Sequence, residues 1–176
     1  MSAAPVVRFE ALDAAATKAF ASKLAPLLRA GDLIILTGGL GAGKTTFTQG
    51  LGAALHATGT VASPTFIIAR EHSIAATNID HRLRPLALVH VDAYRLGGRL
   101  ELDALDLDTA LDDAVTVIEW GSGLAEALSA DRLEISIERP RGRFTDSDDP
   151  EAGLRTITCQ GIGQRWAGVN LAGLNG

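Results

Sequence analysis

Apolar and polar positions change rhythm several times along the chain. Val6-Val7-Arg8-Phe9 predicts a first short strand. After Asp13, a candidate N-cap, the apolar residues Leu12, Ala16, Phe20, Leu24, Leu27 and Leu28 recur at helical spacing until Gly31-Asp32 stops them. Three largely apolar runs follow at intervals: Leu33 to Leu36, Leu86 to Val89, and Ala114 to Ile118, the last interrupted by Thr116. Continuous runs of this length suit parallel strands covered on both faces. A helix is predicted from Lys44 to about Leu55, where Gly50 and Gly52 weaken it but allow close packing on the sheet. Phe66 to Arg70 is β-prone, and Ser73 to Pro85 reads as a polar surface connection.

Beyond Gly97-Gly98, leucines at 100, 102, 105, 107 and 111 among acids predict one or two short amphipathic helices. Ser122 to Leu128 predicts another. Arg132 to Glu138 and Leu154 to Cys159 alternate strictly, so they should pair as a hairpin. The Asp-, Gly-, Pro- and Ser-rich stretch 141–153 between them reads as a mobile loop, and 161–176 as a weakly defined tail whose Trp166 could dock on the rest of the chain. The predicted class is α/β, three layers (α/β/α), with a mixed sheet: a parallel core plus an antiparallel C-terminal hairpin.

One segment dictates a chemistry. Gly38-Gly39-Leu40-Gly41-Ala42-Gly43-Lys44-Thr45 lies between the strand ending at Leu36 and the helix continuing through Thr46. That is the phosphate-binding loop G-x-x-x-x-G-K-[ST] in its strand–loop–helix context, the mark of a P-loop NTPase. Glycines let successive N–H groups turn inward around phosphate oxygens, and the helix start adds unpaired N–H groups and the positive dipole end. The cradle is Gly39, Leu40, Gly41, Ala42, Gly43, Lys44, Thr45 and Thr46, with Lys44 reaching the β- and γ-phosphates and Thr45 offering its hydroxyl to Mg²⁺. A plain glycine turn would need neither the lysine nor the threonine.

Two of the apolar runs end in carboxylates. His90-Val91-Asp92 closes the second run, and Asp92 falls where a Walker-B-like Mg²⁺ ligand belongs, outside a strand's carboxyl end. Glu119 closes the third, either as the group that orients or deprotonates an attacking water or as a surface cap. His90 shares a face with Asp92, as a packing residue or a chemical one. Thr65, in Ser63-Pro64-Thr65-Phe66, is either part of a loop feeding a strand or a switch residue meeting the γ-phosphate or Mg²⁺.

Composition narrows the classes. At 176 residues and 47% hydrophobic, the chain reads as a single domain. Without a basic start followed by an apolar run, and with no run of roughly 20 apolar residues, it reads as cytoplasmic. A net charge of −5 argues against holding nucleic acid by its own field, so any link to RNA should run through a partner. Cys159, the one cysteine, reads as a small core residue, and the four histidines show no zinc spacing. No Asn-Lys-x-Asp guanine-reading motif occurs, which disfavours a GTPase.

Joined in this order, Leu40-Gly41-Ala42-Gly43-Lys44-Thr45-Thr46, Ser63-Pro64-Thr65-Phe66, His90-Val91-Asp92-Ala93-Tyr94-Arg95-Leu96 and Glu119-Trp120 resemble the TsaE family from Gly31 to Trp120. The resemblance implies an ATPase that binds and slowly hydrolyses Mg-ATP in support of tRNA threonylcarbamoyladenosine modification, acting with the TsaB and TsaD proteins. It implies that Lys44 and Thr45 take phosphate and Mg²⁺, that Asp92 is the Mg²⁺-side carboxylate, that Thr65 is a switch residue, and that Glu119 and Trp120 join the active site. The chain departs from the family pattern at Gly39, where an acid is usual, and at Gly121-Ser122, where Pro-Glu is usual. Arg95 or a partner residue could serve as an arginine finger. Two rival readings remain: a small-molecule or nucleotide kinase with Arg82, Arg84 or Arg141 as a lid, and a docking module that uses ATP without hydrolysis.

Overall fold

The computed structural model describes residues 6–63, 68–75, 85–107, 111–140 and 152–176. The strands β1 (Val6–Asp13), β2 (Leu33–Thr37), β3 (Ala69–Ser73), β4 (Ala87–Asp92), β5 (Ala114–Glu119), β6 (Arg132–Glu138) and β7 (Ala152–Ile162) form one sheet in the order β1-β7-β6-β2-β5-β4-β3. β6, β2, β5 and β4 run parallel, and β7, β1 and β3 are antiparallel additions at the two edges. The phosphate-loop strand β2 is therefore central, hydrogen-bonded to β5 on one side and β6 on the other.

Alternation along β2 explains the three layers. Ile34 and Leu36 join Leu88, Val117 and Ile135 beneath α1 (Ala14–Leu24) and α2 (Lys44–Ala54), whose Phe20, Leu24, Phe47 and Leu51 are fully buried. Leu33 and Ile35 join Val89, Val91 and Ile118 on the other face, beneath Leu107, Leu111, Ala125 and Leu102 of α3 (Arg99–Asp103). Each such side chain removed from water contributes about 1.5–3 kcal/mol, so both faces of the parallel core are held by burial.

Several expectations need adjusting. β1 runs on to Asp13, so Leu12 belongs to an edge strand and is exposed rather than part of the helix stripe. Asp13 does cap α1, its Oδ1 accepting the Ala16 N–H at 2.8 Å. Gly52 sits against the sheet side, where a Cβ would come 3.3 Å from Leu88, but Gly50 packs on α1, where a Cβ would come within 2.6 Å of the Lys18 Cα. The strand predicted from Phe66 spans Ala69–Ser73, with residues 64–67 outside those described. Ser122 to Leu128 forms only a 3-10 turn at Glu126–Leu128. The hairpin is as expected, although β7 starts at Ala152 and continues to Ile162, and β1 adds to its far edge. Residues 141–151 lie outside those described.

The tail is the largest correction. Its glycines hide a helical turn, Gln164–Ala167, and a 3-10 turn, Leu171–Asn175, which bury Trp166, Leu171 and Leu174 in the first core. Arg165 holds it in place by donating Nε to Asp32 Oδ1 at 3.0 Å, and Nη2 to Asp32 Oδ2 at 2.9 Å and to the Leu27 carbonyl at 2.7 Å. Among the described residues no helix is long and apolar enough to cross a membrane.

Candidate active site

The loop between β2 and α2 opens over the carboxyl ends of the parallel strands. Gly41 and Gly43 adopt positive φ values of 73° and 110°, and nothing lies within 4 Å of a Cβ built on either, so the backbone there is bare toward solvent. Gly38 is tight in the opposite sense: a Cβ there would collide with the Ile137 carbonyl oxygen of β6. The first α-helical bond of α2 runs from Phe47 N–H to Gly43 C=O at 2.9 Å, so the N–H groups of Lys44, Thr45 and Thr46 precede it at the open end of the helix.

Lys44 is nearly buried. Its Nζ donates to the carbonyls of Gly38 at 2.8 Å and Gly39 at 2.9 Å, and lies 4.0 Å from the Trp120 ring centroid. Burial lowers its pKa below the usual lysine value, opposed by the negative charges of Glu119 and Asp92. Trp120 holds a left-handed φ of 61°, unusual for a bulky residue, and its ring meets Tyr94 at 5.0 Å between centroids. Backbone strain of this kind is commonest where a side chain must be aimed.

The carboxylates come from adjacent parallel strands in register, Asp92 opposite Glu119. Glu119 is buried, and its Oε1 accepts both the Thr45 hydroxyl at 3.2 Å and His90 Nε2 at 2.7 Å. Asp92 is half-buried, its Oδ1 accepting the Tyr94 N–H at 3.0 Å. Thr45, Glu119 and Asp92 thus bring three oxygen-bearing groups to one cleft, which suits a hard cation such as Mg²⁺. Among the described residues no group of three or more His, Cys, Asp or Glu could cage a metal alone. A shell completed by phosphate oxygens and water is what such a donor set fits.

The cleft has a volume of about 470 Å³. Of the residues expected from the sequence, Leu40, Gly41, Gly43, Lys44, Thr45, Thr46, Asp92, Glu119 and Trp120 line it. Gly39 and Ala42 belong to the loop but not to the cleft wall; their carbonyls accept from Lys44 and, at 3.3 Å, from Arg155 Nε. Thr65 lies outside the described residues, although Ser63 reaches the cleft. The position of Gly39, where an acid was expected, is open to solvent: nothing stands within 4 Å of a Cβ there.

Four lining residues had no role in the sequence reading: Ala14, Thr17, Tyr94 and Arg155. Arg155 carried a usable signal. It shares the parity of Ile157 and Cys159 on β7 and is buried with them, so a cation occupies a core-facing strand position.

A glycine-bordered loop after a central parallel strand, a lysine and threonine opening the next helix, and carboxylates on neighbouring strand ends define a P-loop NTPase fold. The family model described as "Threonylcarbamoyl adenosine biosynthesis protein TsaE" matches residues 11–145. The chain belongs to this TsaE family. It is 48% identical to the tRNA threonylcarbamoyladenosine biosynthesis protein TsaE of Streptomyces coelicolor, covering 88% of this chain and 96% of that protein. It is 36% identical to the protein of the same name from Bacillus subtilis, over 85% and 82% of the two chains. A crystal structure of Bacillus subtilis YdiB superposes with a TM-score of 0.65 at 29% identity, covering 93% of this chain and 90% of that one.

Proposed function

We propose that the cleft binds Mg-ATP and hydrolyses it slowly in support of tRNA threonylcarbamoyladenosine modification beside the anticodon, in the cytoplasm and together with TsaB and TsaD proteins. The observation that carries the reading is the line of contacts from Thr45 through Glu119 to His90, beside a buried Lys44 at the mouth of a phosphate loop.

The triphosphate is held by the N–H groups of the loop and first helical turn and by Lys44, which exchanges the carbonyls of Gly38 and Gly39 for phosphate oxygens. Ala14, Thr17 and Arg155 also line the cleft and are the residues we assign to the nucleoside. Thr45, with Asp92 and Glu119, would hold Mg²⁺, which when bound neutralises phosphate charge. Glu119 is also placed to orient a water for in-line attack, while Arg95 and Arg155 line the cleft in cis. Slow turnover by the isolated chain follows if a partner completes the constellation. With a net charge of −5, the chain reaches tRNA through its partners rather than by its own field.

Phosphate release from ATP, measured alone and with the two partners, tests the reading. Stoichiometric transfer to an acceptor molecule would support a kinase instead; the arginines weighed for its lid, 82, 84 and 141, lie outside the described residues. Full support of the modification by a variant that binds ATP but releases no phosphate would support the docking module.

A further inference from the structure

His90 is unexplained by phosphate binding. It is fully buried in β4, on the same face as Leu88 and Asp92, and reaches neither the loop nor the cleft wall. An ionised carboxylate can only accept, so the 2.7 Å contact with Glu119 Oε1 requires the hydrogen on His90 Nε2. That assignment leaves Nδ1 buried without a hydrogen-bond partner among the described residues. Leaving a buried polar atom unpaired costs about 1–3 kcal/mol, which packing alone would avoid by placing an apolar side chain there.

The geometry gives that cost a purpose. Glu119 Oε1 takes two donors, Thr45 from the helix start and His90 from the neighbouring strand. With Oε1 pinned from both sides, the carboxylate keeps one rotamer and Oε2 is the oxygen left to offer a ligand. Without His90, Glu119 would sit almost fully buried with only the longer 3.2 Å contact to Thr45, and could turn away from the phosphates. We propose that His90 is a positioning residue that donates Nε2–H to Glu119 and fixes this carboxylate for the metal and water side of the nucleotide site. The inference rests on the ATPase reading for its consequence, but the His90–Glu119 bond can be read without any turnover. Partners of this kind, one shell removed from a metal site, typically cost 10–100-fold in metal affinity or activity when lost.

The test compares His90→Gln, which keeps an N–H donor at similar reach, with His90→Leu, which fills the space without one. Nitrogen-15 spectra of the histidine side chains in the wild-type chain should show His90 protonated at Nε2, with that resonance displaced in Glu119→Gln. Mn²⁺ affinity, titrated in the presence of ADP, should fall 10–100-fold in His90→Leu and stay within about threefold of wild type in His90→Gln. ADP affinity in the presence of a chelator should be the same in all three. A His90 protonated at Nδ1, wild-type Mn²⁺ affinity in His90→Leu, or equal losses in both variants would overturn the positioning role. Absence of ATP turnover in the wild-type chain with its partners would instead remove the ATPase reading and leave the spectroscopic result to decide the bond.

Discussion

The Lys44 ammonium lies 4.0 Å from the centroid of the Trp120 ring while its hydrogens go to the carbonyls of Gly38 and Gly39. The lysine of the phosphate loop is thus parked on its own loop and on an aromatic plate. A ligand phosphate must draw it off the carbonyls, and a charge-assisted contact of this kind contributes about 1.5–3 kcal/mol. Lys44→Ala should therefore weaken ATP binding by roughly 10–150-fold in equilibrium titration.

The same relationship makes Trp120 an optical reporter. The chain has two tryptophans, and Trp166 is buried in the core away from the cleft. In a Trp166→Phe variant, intrinsic fluorescence should change on adding ATP with Mg²⁺, since the cation over the remaining indole moves. Trp120→Phe should bind nucleotide without that response; an unchanged response would place the reporter elsewhere.

Neighbouring glycines of the loop should behave oppositely. Gly38→Ala drives a Cβ into the backbone oxygen of Ile137, an overpacking that typically costs about 1–3 kcal/mol. Gly39→Glu meets open space and should stay within about 0.5 kcal/mol of wild type in urea unfolding. A large loss from Gly39→Glu would contradict the loop geometry.

Trp166 is fully buried, so its truncation to Ala should cost about 3–5 kcal/mol, and removal of residues 164–176 should unfold the chain or leave it marginal. Thermal melts of both would show it. A deletion variant with a wild-type melting temperature would mean the tail is an appendage.

Cys159 offers a gauge of global opening. Burial pushes its thiol pKa from 9.0 up to about 12, so the folded chain presents almost no thiolate at pH 8. Thiol labelling at that pH should follow the unfolding equilibrium and slow on adding ATP. Because the folded pKa is the higher one, this group's contribution to stability is intact below pH 9 and is lost as pH rises toward 12.

The site was more legible in the sequence than the edges of the fold. Leu33 to Leu36, Leu88 to Asp92 and Ala114 to Glu119 announced themselves because strands covered on both faces are mostly apolar, and their polar ends then mark the cleft. Joining of β1 to β7 was illegible: pairing across 139 or more positions leaves no local trace, and Leu12 matched a helical spacing by coincidence. The tail misled through its glycines, because the order there comes from Trp166 and from the Arg165–Asp32 pair, both tertiary. Motif and strand end singled out Lys44, Thr45, Asp92 and Glu119, all of which line the cleft. The contacts of His90 and Arg155 needed coordinates, since a buried polar residue on a strand shows its parity but not its partner.

The most direct test of the account is phosphate release by Glu119→Gln compared with wild type, with the TsaB and TsaD proteins present and ATP saturating. Glutamine keeps the size and the hydrogen-bonding reach but removes the charge that would face metal and water. Turnover should fall at least about 100-fold, the scale of lost general base catalysis, while ADP binding persists. A wild-type rate from Glu119→Gln would contradict the site described here.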